Sequence, residues 1–181
     1  MKALVLDGAG SQKTAKSIEE ASRKAGFETD TVDLGRASLW GCQGCLNCWL
    51  KTPGECAVKD DAVPIVTKWA GSDLIVFVTP AVLGTYSPAL KRALERMLPL
   101  ALPYFKKIDG KVRHPLRYEG RPGLLVFGIA ATEAENRLLQ DLVAKNTVIL
   151  RPRFHETVIL DGNGDGAKIS SAFENARKVM A

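Results

Sequence analysis

No stretch of this 181-residue chain reaches the about 18 consecutive apolar residues that a membrane-crossing helix needs, so no membrane partner is expected. The apolar run at the start, Lys2 to Leu6, is too short for a secretory leader and ends at Asp7, which makes a cytoplasmic location the expectation. Cysteine is absent outside the span from Cys42 to Cys56, whereas a secreted disulfide scaffold spreads its cysteines to join distant segments. The chain has neither a G-x-G-x-x-G fingerprint nor a Walker A loop. No Ser/His/Asp set or carboxylate pair is readable, so hydrolytic chemistry has no support. Internal repeats and low-complexity tracts are missing too. The net charge is +5, but lysine and arginine are scattered along helices and one loop instead of forming one face. That excludes a nucleic-acid partner and favours small anions such as nucleotide phosphates.

What is present is an ordinary globular composition, 46% apolar and 25% charged. The length suits one domain with a full core, so residues 1–181 are expected to fold as a single unit. Apolar runs at Lys2 to Leu6, Asp73 to Val78 and Gly123 to Gly128 read as buried parallel strands. Glu28 to Leu34 alternates and reads as another, and a fifth is expected within Thr147 to Leu160, split or extended around Pro152. Helices are expected over Lys13 to Ala25, Ala62 to Ala70, Ser87 to Leu100, Thr132 to Lys145 and Lys168 to Met180. Asp60 and Asp61 stand where a cap for the second helix belongs, and Glu133 and Glu135 suit the first turn of the fourth. Two segments interrupt this alternation. One is a cysteine-rich loop at about 35–60, the other a basic excursion at about 103–122.

Five β/α alternations predict an α/β three-layer sandwich with a five-stranded parallel sheet in the flavodoxin-like order 2-1-3-4-5. A ligand in such a sheet sits outside the carboxyl ends of the strands, at the switch point. Three loops should meet it. The turn after the first strand offers Ser11, Gln12, Lys13 and Thr14 at a helix N-terminus, a ready anion site, although a plain tight turn with an N-cap explains the same residues. The loop after the third strand, Pro80, Ala81, Val82, Leu83 and Gly84, offers backbone N–H groups for the polar edge of a ring and apolar cover for its face; a bare strand-to-helix connector is the alternative. The loop after the fourth strand, with Gly128, Ala130 and Ala131, is small enough for a flat ring to lie against the backbone, or for close packing on the next helix.

Cys42-x2-Cys45-x2-Cys48-x7-Cys56 is the most specific pattern in the chain. Iron–sulfur clusters take four thiolates, and a compact C-x2-C-x2-C run supplies three of them from one segment. A [4Fe-4S] cluster is the metal group that fits this spacing best, because structural zinc usually takes two separated C-x2-C pairs. Equally, four cysteines flanked by Trp40 and Trp49 can pack as small apolar groups or act as redox thiols. His114, with Arg113, Arg117 and Arg121, suits either the phosphates of a pyridine nucleotide or a solvated loop.

The segment WGCQGCLNCWLKTPGECAVKDD, from Trp40 to Asp61, is similar to the corresponding stretch of NAD(P)H-dependent FMN reductases and iron–sulfur flavoproteins. So are TPAVLG from Thr79 to Gly84, SPALKRALER from Ser87 to Arg96, and Asp109-Gly110 with His114 and Arg117-Tyr118. The resemblance runs from Lys2 to about Leu142. It implies a flavodoxin-like fold, non-covalent FMN, a pyridine nucleotide, NAD(P)H, or a redox protein as electron donor, and assembly into a homodimer or homotetramer. It implies that Ser11 to Thr14 hold the phosphate, that Pro80 to Gly84 and Gly128 to Thr132 meet the ring, and that Cys42, Cys45, Cys48 and Cys56 hold a [4Fe-4S] cluster. The sequence departs from the family in three places: the first loop is short, Val82 replaces an aromatic residue, and the third loop lacks glycines. A flavodoxin-like binding protein that has lost its flavin is therefore the alternative.

Overall fold

The computed structural model describes residues 1–129, 131–162 and 165–181. In chain order it contains β1 (Lys2–Asp7), α1 (Gln12–Lys24), β2 (Glu28–Asp33), the one-turn helix α2 (Asn47–Leu50), α3 (Ala62–Ala70), β3 (Leu74–Pro80), α4 (Pro88–Glu95), β4 (Lys106–Ile108), β5 (Lys111–Arg113), β6 (Gly123–Ile129), α5 (Glu133–Leu150), β7 (His155–Leu160) and α6 (Asp165–Met180). Five strands form one parallel sheet in the order β2-β1-β3-β6-β7. This is the flavodoxin-like order, because β4 and β5 form a separate antiparallel hairpin in the basic excursion.

The central strands are apolar on both faces because both faces are covered. Leu4, Leu6, Ile75, Phe77, Leu124 and Val126 face α3, α4 and α5. Their alternates Ala3, Val5, Leu74, Val76, Leu125 and Phe127 face α1 and α6, where Phe173 packs on Phe27 and Phe127. The chain leaves β1 toward β2 and later returns to β3 on the other side. The switch point therefore lies beyond Asp7 and Pro80, the carboxyl ends of β1 and β3.

Two helices end differently from expectation. The helix expected to reach Leu100 stops at Glu95 and continues as a short 3₁₀ turn, Leu98–Leu100. Pro99 has no N–H to give to Glu95 and would crowd that carbonyl, which closes the α-helix early. Conversely α5 runs through Thr147, Val148 and Ile149, which the sequence pattern places near a strand, and only the residues after Pro152 form β7. A helix already nucleated by a strong cap tolerates β-branched residues at a few tenths of a kcal/mol each. Arg151 in the left-handed region (φ 50°) and Pro152 then stop it.

Candidate functional site at the switch point

Asp7 ends β1 and is 4% exposed. Its Oδ1 accepts from the amides of Ala9 (2.8 Å) and Gly10 (3.2 Å), which shapes the first turn around a buried carboxylate. Burial raises its pKa; the two amides oppose that rise and nearby Asp33 adds to it. Ser11 then caps α1. Its Oγ accepts from the Thr14 amide (3.3 Å) and from the Thr14 hydroxyl (3.0 Å). The amides of Gln12 and Lys13 have no partner among the described residues, and both residues are exposed. Open amides, two hydroxyls and an ammonium at the positive end of a 13-residue helix suit a phosphate.

The second loop is a tight hairpin. Val82 and Thr85 exchange both backbone bonds at 3.0 Å, with Leu83 (φ 51°) and Gly84 (φ 75°) in the left-handed region at its tip. Ala81 is buried, while Leu83 is 87% exposed, a large apolar side chain left in water at the rim of the site. The third loop leads into α5 through a capping box. The Thr132 hydroxyl accepts from the Glu135 amide (3.2 Å), and Glu135 Oε2 accepts from the Thr132 amide (3.3 Å) and hydroxyl (2.8 Å). The other oxygen of Glu135 accepts from the Leu83 amide (3.2 Å), so one side chain ties the second loop to the third. The bonds from Thr132 hold the Glu135 carboxyl below its usual range, with a smaller contribution from Leu83. Gly128 is buried, and a methyl there would meet Leu139 Cδ2 at 2.8 Å and Ile159 Cδ1 at 2.9 Å. Ala130 lies outside the described residues; Ala131 is exposed and donates to Asn136 Oδ1 (3.2 Å).

The cysteine loop lies across the layer formed by α3 and α4 and is held by a group that sequence reasoning did not single out. Arg96, at the end of α4, has its side chain 1% exposed against an Asp60 side chain 5% exposed. Its two terminal nitrogens reach both Asp60 oxygens (2.7 and 2.9 Å), the carbonyls of Trp40 (2.8 Å) and Val58 (3.1 Å), and Cys56 Sγ (3.4 Å). Asp60 also accepts from the amides of Trp40 (2.9 Å) and Ala62 (3.0 Å). One buried guanidinium thus pins both ends of the loop. Burial alone would raise the Asp60 pKa, but the bonds from Arg96, Trp40 and Ala62 outweigh it and the net shift is downward. In the middle of the loop Trp49 donates to the carbonyls of Leu98 and Ala101 and packs against His114, ring centroids 4.8 Å apart and planes tilted by 41°. His114 in turn packs at a tilt against Phe105, bonds the Leu102 carbonyl, and so joins the basic excursion to the loop. Trp40 is 66% exposed and covers no cysteine core.

Residues 1–155 match the sequence model of the NADPH-dependent FMN reductases. The chain belongs to this family. It is 29% identical over 89 residues to an iron–sulfur flavoprotein of Methanosarcina thermophila, a match covering 49% of this chain and 46% of that protein, so the match reaches across less than half of the relative. Among solved structures it resembles an azoreductase from Bacillus anthracis (TM-score 0.66, 16% identity, 99% and 98% of the two chains). It also resembles an NAD(P)H:quinone oxidoreductase from Methanothermobacter marburgensis (TM-score 0.64, 16% identity, 99% and 97%). A third likeness is to an FMN-dependent NADH-azoreductase from Bacillus anthracis in complex with FMN (TM-score 0.60, 12% identity, 99% and 97%). At these identities the solved structures establish the flavodoxin-like fold.

For a member of the FMN reductase family, the sites named from sequence divide in two. Ser11 to Thr14, Pro80 to Gly84, Gly128 and Ala131 all stand at the carboxyl edge of the sheet, around one switch point. The open amides of Gln12 and Lys13 fit the phosphate of FMN, and the exposed Leu83 fits the cover of a ring. The cysteines do not fit a cluster as they stand. Cys42 and Cys45 are exposed, Cys48 is buried, Cys56 is half-buried, and among the described residues no three His, Cys, Asp or Glu side chains are arranged to hold a metal ion. Burial raises the Cys48 thiol pKa, and the other three sulfurs add to that rise. Arg117 donates from Nε and one terminal nitrogen to the carbonyls of Pro99 and Ala101, and His114 Nδ1 bonds the Leu102 carbonyl, so both brace the excursion. A cavity of about 460 Å³ lies at the opposite, amino edge of the sheet, between Trp69, Met97, Leu124 and Ile149, away from the switch point.

Proposed function

We propose that this member of the family binds FMN at the carboxyl edge of the sheet and works as an oxidoreductase that takes reducing equivalents from NADPH or NADH. The family membership together with the open N-terminus of α1 carries this reading. The amides of Gln12 and Lys13, the hydroxyls of Ser11 and Thr14 and the Lys13 ammonium would hold the phosphate. Pro80 to Gly84 would border the ring, with Val82 and Leu83 excluding water from it and Gly128 and Ala131 leaving room for it. FMN supplies hydride and single-electron chemistry when bound, so no protein acid or base is assigned. The same reading extends to a cytoplasmic homodimer or homotetramer; exposed Phe105, Val112 and Ile149 offer apolar area for such contacts.

The protein loaded with FMN and mixed with NADPH or NADH without oxygen is expected to lose the flavin's visible absorption band, and to regain it when a quinone is added. An unchanged band with both nucleotides contradicts the reductase reading. The cysteine run and the iron–sulfur relative favour one addition, a [4Fe-4S] cluster on Cys42, Cys45, Cys48 and Cys56, although the residues as folded do not form its ligand set. Iron and acid-labile sulfide in protein purified without oxygen support it; their absence leaves the flavin alone.

A further inference from the structure

The tip of the second loop has unequal amides. Those of Ala81, Val82 and Thr85 go to the backbone carbonyls of Ile129, Thr85 and Val82, and that of Ser87 goes to the Thr79 hydroxyl, which is buried. The Leu83 amide differs from these. Its partner is a carboxylate oxygen of Glu135, a side chain on another element. Nor is that carboxylate placed casually, because its second oxygen is locked by the amide and hydroxyl of Thr132 in the capping box. An ionised carboxylate is a stronger acceptor for an amide than a neutral carbonyl.

Given FMN binding at this edge, we propose that Glu135 is the residue that sets the affinity of the ring subsite, by competing with the carbonyl edge of the flavin for the Leu83 amide. In this arrangement the phosphate docks at α1 without hindrance, while the ring gains its bond to Leu83 only when Glu135 lets go. The release also parts the second loop from the third. Glu135 is therefore a positioning residue that closes the empty site. It selects for ligands whose phosphate binds well enough to offset the exchange at the ring.

The test is the affinity of the full chain for FMN and for riboflavin, read by quenching of flavin fluorescence, in wild type, Glu135→Ala and Glu135→Gln. Glutamine fills the same place in a capping box and keeps an acceptor toward Leu83, so this variant separates charge from fold. Glu135→Ala is expected to bind FMN about five- to tenfold more tightly than wild type, and Glu135→Gln to fall between the two, as expected when a charge-assisted competitor is removed or neutralised. Riboflavin, which lacks the phosphate, should gain by the same factor. Equal or weaker binding by Glu135→Ala, with wild-type circular dichroism, overturns the proposal. Wild type and both variants all failing to quench either flavin overturns the FMN reading itself, and this inference with it.

Discussion

Replacing Arg96 by alanine is expected to destabilise the protein by about 3–5 kcal/mol and to free the cysteine loop. The size follows from what remains behind. The Asp60 carboxylate, with a side chain 5% exposed, loses both guanidinium bonds and keeps its charge in a place that water does not reach. The carbonyls of Trp40 and Val58 lose their donor at the same time, so both ends of the loop come loose together. Arg96→Lys should recover only part of the loss, since an ammonium cannot span two carboxylate oxygens and two carbonyls as a planar fork does. Replacing both partners by apolar residues of similar size should cost much less than either single change, because no lone charge is stranded.

Urea unfolding measures the stability, and thiol labelling of Cys56 measures the loop, with faster labelling expected in Arg96→Ala. A loss under about 1 kcal/mol with unchanged labelling contradicts this account of the loop. The pair also has a pH signature. The Asp60 carboxyl is held below its ordinary value in the folded protein. The stability it provides is therefore fully present above the usual carboxylate range and is lost as the pH falls through that lowered value. Asp60→Asn should flatten this part of the acid profile.

Gly84→Ala is the second change with a large expected effect, about 2–3 kcal/mol. Two costs combine. The residue sits at φ 75°, where a side chain is disfavoured, and its new methyl would fall 2.5 Å from Leu138 Cβ and 2.8 Å from its Cδ1. A Cβ cannot swing aside, so α5 or the second loop must shift. The two causes are separable. Leu138 is 54% exposed, so Leu138→Ala alone should be mild, yet Cβ remains and only the contacts with Cγ and Cδ1 are relieved in the double variant. Gly84→Asn lowers the backbone cost but keeps the Cβ clash. If Gly84→Asn is as stable as wild type, the close approach to α5 is not what fixes glycine here.

Much of the frame was legible because it depends on local pattern. The apolar runs of β1, β3 and β6 and the bounds of α3 follow from burial on both faces and from Asp and Gly at the helix ends. The end of α5 was not legible, because Thr147, Val148 and Ile149 favour strands as isolated residues and become helical only as the continuation of a capped helix. The turn after β1 was readable from Ser11 to Thr14, since an N-cap and a helix start are local. Arg96 and Glu135 were visible only as charges on helices. Their partners lie 36 and 52 residues away in the chain, at Asp60 and Leu83, and only the folded sheet brings them together. The cysteine spacing was the clearest signal of all, and it does not by itself draw the four sulfurs into a ligand set.

The central claim is that the carboxyl edge of this sheet holds FMN. Gel filtration of the full chain after mixing with excess FMN tests it most directly. The account predicts flavin absorbance eluting with the protein at one FMN per chain, and a marked loss of that absorbance in the double variant Ser11→Ala, Thr14→Ala, which removes the two hydroxyls beside the α1 amides. A protein peak that elutes without flavin, while retaining its folded circular dichroism, contradicts it.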